Sequence, residues 1–260
     1  MIRKFWVLLI AFFKKEYIEL TRYWFNTIIG IIVTLGLFLM LFYGLEGLTN
    51  NNDLFGSSSE TLVVGYGLFI LFTVAYNSIS SMIVEESKNG TLQQLYMSKF
   101  SFRTLLIAKV ISTSLFGIII FIITIFIASL ATRTSLNIDI LTIIPIAIIS
   151  SFSFISLGLL AGGLALVFKK IEGFLQILQF SVIAFISAPI SKVYFFRYLP
   201  GTLGTSWIND IMINGNTLLD FTAMNYVELI FISLAHLIIG VIVYKCFENK
   251  AKKIGTLGYY

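Results

Sequence analysis

Six long apolar runs limit what this chain can fold into more than any other feature. They lie at Thr27–Leu45, Leu62–Val84, Leu105–Ala131, Leu141–Phe168, Phe174–Val193 and Tyr226–Phe247. Each holds about 20 residues or more, enough for a helix to cross a ~30 Å hydrocarbon core. Hydrocarbon offers no water to satisfy the backbone, so isolated spans must be helical. A β-barrel would show short alternating segments instead. Only 12% of the 260 residues are charged, about half the share usual in a soluble domain. The fold expected is all-α and integral to a membrane, with six transmembrane helices forming a single domain over residues 1–260. Pro145 and the pair Gly162-Gly163 lie inside the fourth run and read as local bends in one helix.

Charge orients the spans. With the N-terminus inside, the inner segments are residues 1–26, 85–109, 169–172 and the tail from Lys245. Of 18 Lys and Arg, only Arg133, Lys192 and Arg197 fall outside, which leaves 15 within. That positive-inside bias makes the chain a multi-pass protein of the cell membrane with both termini cytoplasmic. It also explains the basic balance of the chain without a nucleic-acid partner. The lone Cys246 excludes an internal disulfide framework.

The start, "MIRKFWVLLIAFFKK", has the basic and apolar parts of a signal peptide but no small-residue cleavage pattern. At 100° per residue, Arg3, Lys4, Lys14, Lys15 and Arg22 share one arc of roughly 120°, with apolar residues around most of the rest. Residues 1–25 are therefore expected to form an amphipathic helix in the cytoplasmic interface. The outer segment 191–225 carries Leu203, Trp207, Ile208, Ile211 and Met212 at helical spacing. One or two short helices that dip into the outer leaflet, or cap the bundle, account for so much apolar surface in a loop.

Catalytic motifs fail one by one. No GxxxxGK[ST] phosphate loop, HExxH, GxSxG or SxxK occurs, and the single His236 cannot build a histidine metal cluster. Glu85-Glu86 resembles the start of an EExxxR metalloprotease motif, but its sixth position is Gly90. The chain is not expected to be an enzyme or to hold a cofactor or metal. Polar residues inside the spans are the next clue. Asn77 lies in the second run, and Gln176 and Gln179 share a face of the fifth. They either line a pathway or join helices. Ser233, His236 and Gly240 fall on one face of the sixth run and are expected to face protein, with His236 read as helix glue. Glu228 lies near the outer end of that run, where a carboxylate suits a helix N-terminus and water.

One charged island remains, "VEESKNGTLQQLYMSKFSFRTLLIAK", from Val84 to Lys109. Gly90 is expected to end the preceding helix and Thr91 to cap a short new one. Leu92, Leu95 and Tyr96 give that helix an apolar side. Such a side on a cytoplasmic loop fits docking on another protein, burial against the chain's own N-terminal helix, or both.

The pattern Glu85-Glu86…Gly90-Thr91-Leu92-x-x-Leu95, with Lys109 opening a new span, resembles the coupling-helix region of ABC-2 type (type V) ABC transporter permeases. The N-terminal helix, six spans, long outer segment and basic tail "KKIGTLGYY" match that family along the chain. One departure is "MSKF" with Lys99, where many members have Pro after the short helix. The resemblance implies a permease without its own ATPase, in which a separate cytoplasmic ABC ATPase subunit, in two copies, binds ATP and Mg. The loop 85–104, with Glu85, Glu86, Gly90, Thr91, Leu92, Leu95 and Tyr96, would couple to that subunit. Two copies of the chain would pair as a homodimer. Asn77, Gln176 and Gln179 would line the pathway, and Leu203 and Trp207 would form part of an outer gate. Few polar groups and no intramembrane cation cluster fit an amphipathic or hydrophobic cargo moved out of the cell. A membrane-active peptide is preferred to a drug-like molecule. Permeases of phenol-soluble modulin exporters are similar in size and also lack a fused ATPase. A membrane anchor or sensor of a signalling or resistance complex, and a channel or secondary carrier, are the alternatives.

Overall fold

The computed structural model describes residues 2–48, 59–168, 171–190 and 192–255. Lys169 and Lys170 of the inner loop, Ser191 and the last five residues of the tail lie outside the described residues. Nine α-helices are present among the described residues. They are α1 (Ile2–Arg22), α2 (Trp24–Leu48), α3 (Ser59–Lys88), α4 (Leu92–Tyr96), α5 (Phe102–Thr132), α6 (Ile140–Phe168), α7 (Glu172–Ile186), α8 (Thr202–Asn214) and α9 (Ala223–Ile254). Two 3₁₀ turns, Tyr194–Tyr198 and Leu218–Asp220, flank α8. Five helices, α2, α3, α5, α6 and α9, are long and apolar enough to cross a bilayer.

The fifth run departs from expectation. Its helix, α7, has 15 residues and stops at Ile186 instead of reaching Val193. Pro189 explains the stop, because its ring disfavours helical backbone in the preceding residue and offers no N–H to continue the ladder. At about 1.5 Å per residue α7 is ~22 Å long, short of a full hydrocarbon core. It nonetheless runs antiparallel along α3. Glu172 pairs with Lys88 at 2.6 Å, the Tyr76 hydroxyl donates to the Leu175 carbonyl at 2.9 Å, and Ile186 lies beside Gly65.

The core centres on α6, which packs between α3 and α9. Its buried side is built from small residues, including Ser150, Ser153, Ser156, Gly158, Ala161, Gly162 and Ala165. Gly158 lies against the Tyr76 carbonyl of α3, where any Cβ would collide, and Gly162 lies against Ile79 and Ile83. On the other side, a Cβ on Gly240 of α9 would stand 2.8 Å from the Ser156 Cα. Small residues bring backbones close, and dispersion then holds helices together where lipid supplies no hydrophobic drive. The expected protein-facing stripe of α9 is present: Ser233 and Gly240 are buried, and half-buried His236 places Nδ1 2.9 Å from the Ile232 carbonyl oxygen. Pro145 and Gly162-Gly163 do not break α6, which is continuous over 29 residues.

The outer segment folds back into the bundle. Gly204, near the start of α8, lies on Ser150 of α6, ten residues in from Ile140 and so about 15 Å below that end. The other end of α8 is high, since the Asn137 N–H donates to the Met212 carbonyl at 2.8 Å. The helix is therefore re-entrant. Its backbone is tolerated at that depth because it is covered by α3, α6 and α7. Gly201 makes the turn into it at φ 73°, beside the Phe154 ring.

Replacing Gly240 with Leu should lower the thermal midpoint of the purified chain in detergent, at a cost of about 1–3 kcal/mol for overpacking. Leu at Gly30, which has nothing within 4 Å of its Cβ position, should leave it unchanged. Equal midpoints would refute the packing account.

Candidate functional site

One end of the bundle collects α4, the starts of α5 and α7, the middle of α1 and the tail of α9. Gly90 closes α3 in the left-handed conformation, φ 69°. The Thr91 N–H then donates to the Glu86 carbonyl at 2.9 Å and the Gly90 N–H to the Ser87 carbonyl at 3.1 Å. These two bonds satisfy the last carbonyls of the helix and reverse the chain. Thr91 sits at the cap of α4, but its hydroxyl donates back to the Glu86 carboxylate and makes no cap bond. Thr91 thus holds the expected cap position, and its hydroxyl ties α4 to the end of α3. Glu85 is exposed, while Glu86 is partly buried and lies 3.9 Å from Lys15 of α1. The Met97 N–H to Gln93 carbonyl bond ends α4 at Tyr96 without a proline, and Ser101 caps α5 through the Thr104 N–H.

The apolar side of α4 does not face outward. Leu92 is 3% exposed, and Leu95 and Tyr96 pack against the core. Tyr96 stacks on Phe102 of α5 with centroids 4.1 Å apart, and its hydroxyl lies 3.3 Å from that of Tyr244 in α9. Burial raises the Tyr96 phenol pKa well above its ordinary value, a shift the bond to Tyr244 opposes. The surface left open on α4 and its exit is Gln93, Gln94, Met97, Ser98 and Lys99, with Met97 79% exposed. In a sequence pattern, an apolar side signals burial without naming the partner, and here the partner is the chain itself.

Sequence reasoning missed what lies under Tyr96. Glu248 of α9 is 3% exposed, accepts from Lys252 at 2.6 Å and lies 3.9 Å from Arg103. Lys252 also stands over the Tyr96 ring, 5.4 Å from its centroid. Tyr244, Glu248 and Lys252 recur every four residues, a stripe visible in the tail. A second tie joins α1 to α5, where Glu16 and Lys109 form a largely buried ion pair. Phe13 and Phe116 pack alongside at 5.7 Å.

The polar residues expected on a pathway lie on two helices, α3 and α7. Asn77 is partly buried on α3. Gln176 and Gln179 are exposed on α7 beside exposed Ile177, Phe180 and Ile183. Most of α2 is likewise uncovered, including Ile28, Ile32, Leu37 and Leu41. Leu203 and Trp207 are core residues of a single chain, 4% and 6% exposed. Trp207 stacks on Phe221 at 4.4 Å and meets Tyr226 edge-on at 5.5 Å. Glu228, expected to face water, instead forms an ion pair with Arg197, which anchors the first 3₁₀ turn to α9.

Lys109→Met should lower the thermal midpoint sharply, because it leaves Glu16 as a buried charge without a partner, at a cost of roughly 3 kcal/mol. Adding Glu16→Leu should restore most of the loss. A double variant no more stable than the single one would contradict the pairing.

A family model described as "ABC-2 family transporter protein" matches residues 43–247, well over half of the chain. No curated protein matches it.

Proposed function

The chain belongs to the ABC-2 transporter family, and from that premise we propose that it is the permease subunit of an ATP-driven exporter in the cell membrane. The family is one of membrane permeases, and five helices among the described residues are long and apolar enough to cross a bilayer. In the reading proposed, α7 is a sixth, shortened crossing. It runs beside α3 from the Lys88 end to the Gly65 end and is continued by the turns that lead into re-entrant α8. Both termini are cytoplasmic, as the charge bias of the loops supports.

The observation that carries the reading is the construction of α4. A five-residue helix cannot hold itself together in water. This one is held from beneath by Leu92, Leu95 and Tyr96, and its opposite side is left open. A small rigid projection fits a cleft on a separate cytoplasmic ATPase, which would bind ATP and Mg itself. Gln93, Gln94, Met97 and Lys99 form the contact. Leu92, Leu95 and Tyr96 with Glu85, Glu86, Gly90 and Thr91 hold the projection in place and pass its motion on to α3, α5 and α9.

Two copies pair through the uncovered faces of α2 and α7, around a two-fold axis. Gln176 and Gln179 on α7, with Asn77 behind them, line the route. Re-entrant α8 forms the outer barrier as a body, with Leu203 and Trp207 fixing it to the bundle. A route of a few amides among Ile, Phe and Leu suits an amphipathic cargo, and a membrane-active peptide is preferred.

Met97→Asp should leave the thermal midpoint unchanged and reduce the cargo-stimulated ATPase activity of the permease–ATPase complex in proteoliposomes about tenfold. That corresponds to ~1.4 kcal/mol of lost coupling. The permease alone should hydrolyse no ATP. Full stimulation by amphipathic peptide in the Met97→Asp complex would remove α4 as the contact. ATP hydrolysis with no flux of any cargo class would favour a sensor over an exporter.

A further inference from the structure

The outward face of α1 carries more than an interfacial helix needs. Its inner side is covered: Leu8 is buried, Phe12 packs on the core and Glu16 pairs with Lys109. The side next to it remains open, and there Lys14, Lys15 and Arg22 border a shallow hollow with Ile18, Glu19 and Tyr23. Arg22 lies over the Tyr23 ring, 5.7 Å from its centroid. Neither Lys14 nor Arg22 has an ion-pair partner among the described residues, whereas Lys15 stands 3.7 Å from Glu19 and 3.9 Å from Glu86. The exposed residues on either side are aromatic or aliphatic: Trp6, Ile10 and Tyr17 along α1, then Trp24 and Phe25 where α2 begins.

We propose that this hollow binds the headgroup of an anionic phospholipid. Three observations fix the occupant. The hollow lies at the junction with a 25-residue apolar helix, so its depth is that of the headgroup layer. Two cations without ion-pair partners among the described residues face a surface that bears negative charge in anionic membranes. The aromatic residues beside them supply the acyl-side contact that a soluble anion would not use. Lys15 gives the site a consequence. It is shared between the hollow and Glu86, whose carboxylate also accepts from Thr91 at the root of α4. A bound phosphate draws Lys15 from Glu86 and loosens that root. The proposal rests on the membrane assignment but not on an ATPase partner or a cargo.

Quenching of Trp24 by brominated lipid tests it, with the full chain carrying Trp6→Phe and Trp207→Phe. Brominated phosphatidylglycerol should outcompete brominated phosphatidylcholine by about tenfold, taking roughly fivefold per cation near a charged surface and some screening. Lys14→Gln with Arg22→Gln should bring the ratio to about two, while Lys250→Gln with Lys253→Gln should leave it unchanged. Equal quenching by the two lipids, or an equal loss in both double variants, overturns the site. Displacement by millimolar inorganic phosphate would assign the hollow to a free anion and overturn the lipid assignment. Failure of cargo transport with the lipid preference intact bears on the exporter reading alone.

Discussion

The close approach of α6 to its two neighbours is the contact on which the rest of the structure depends. Gly158 against the Tyr76 carbonyl and Gly240 against Ser156 let three long helices meet at backbone distance. In hydrocarbon no gain comes from hiding apolar surface, so this dispersion contact must hold the bundle together. Everything functional hangs from that triad. The outer half of α6 receives α8 at Ser150, and the far ends of α3 and α9 carry the ties to α4. In the coupling proposed, a push on α4 passes through Tyr96 and Tyr244 to α9, and from Gly240 to α6.

The same packing explains what is left uncovered. The fold buries over half of the most apolar stretches of α3 and α6, but only 22% of that of α9 and 11% of that of α2. A helix so apolar and so lightly held by its own chain gains its contacts from lipid or from a second copy. With α7, it forms the side of the subunit where pairing and passage are proposed. Elsewhere α1 is braced on α5 through the Glu16–Lys109 pair.

Much of this was legible in the sequence, and the failures have physical causes. Hydropathy over 18 or more residues located the five long helices, because only helices of that length satisfy their backbone in lipid. The Ser233–Gly240 stripe was expected to face protein, and Ser233 and Gly240 are buried. Gly90 announced the end of α3 through its freedom to adopt positive φ. The fifth run was read too long, because hydropathy ignores what Pro189 does to the backbone. Leu92, Leu95 and Tyr96 were recognised as an apolar side, but a pattern in one segment cannot say which surface covers it. The Arg197–Glu228 pair was missed because its partners lie 31 positions apart, in an outer loop and a span. The Tyr244–Glu248–Lys252 stripe was available in the tail and pointed to Tyr96 only once the fold brought them together.

The central claim is that α4 meets its ATPase through its open side while its apolar side stays within the permease. Site-directed cross-linking measures this directly. In a Cys246→Ser background, single cysteines at Gln94, Met97 and Leu92 are reacted with a short bifunctional reagent in membranes that also contain the partner ATPase. The account predicts ATPase adducts at Gln94 and Met97 and none at Leu92. Adducts at Leu92 with none at Met97 would contradict it.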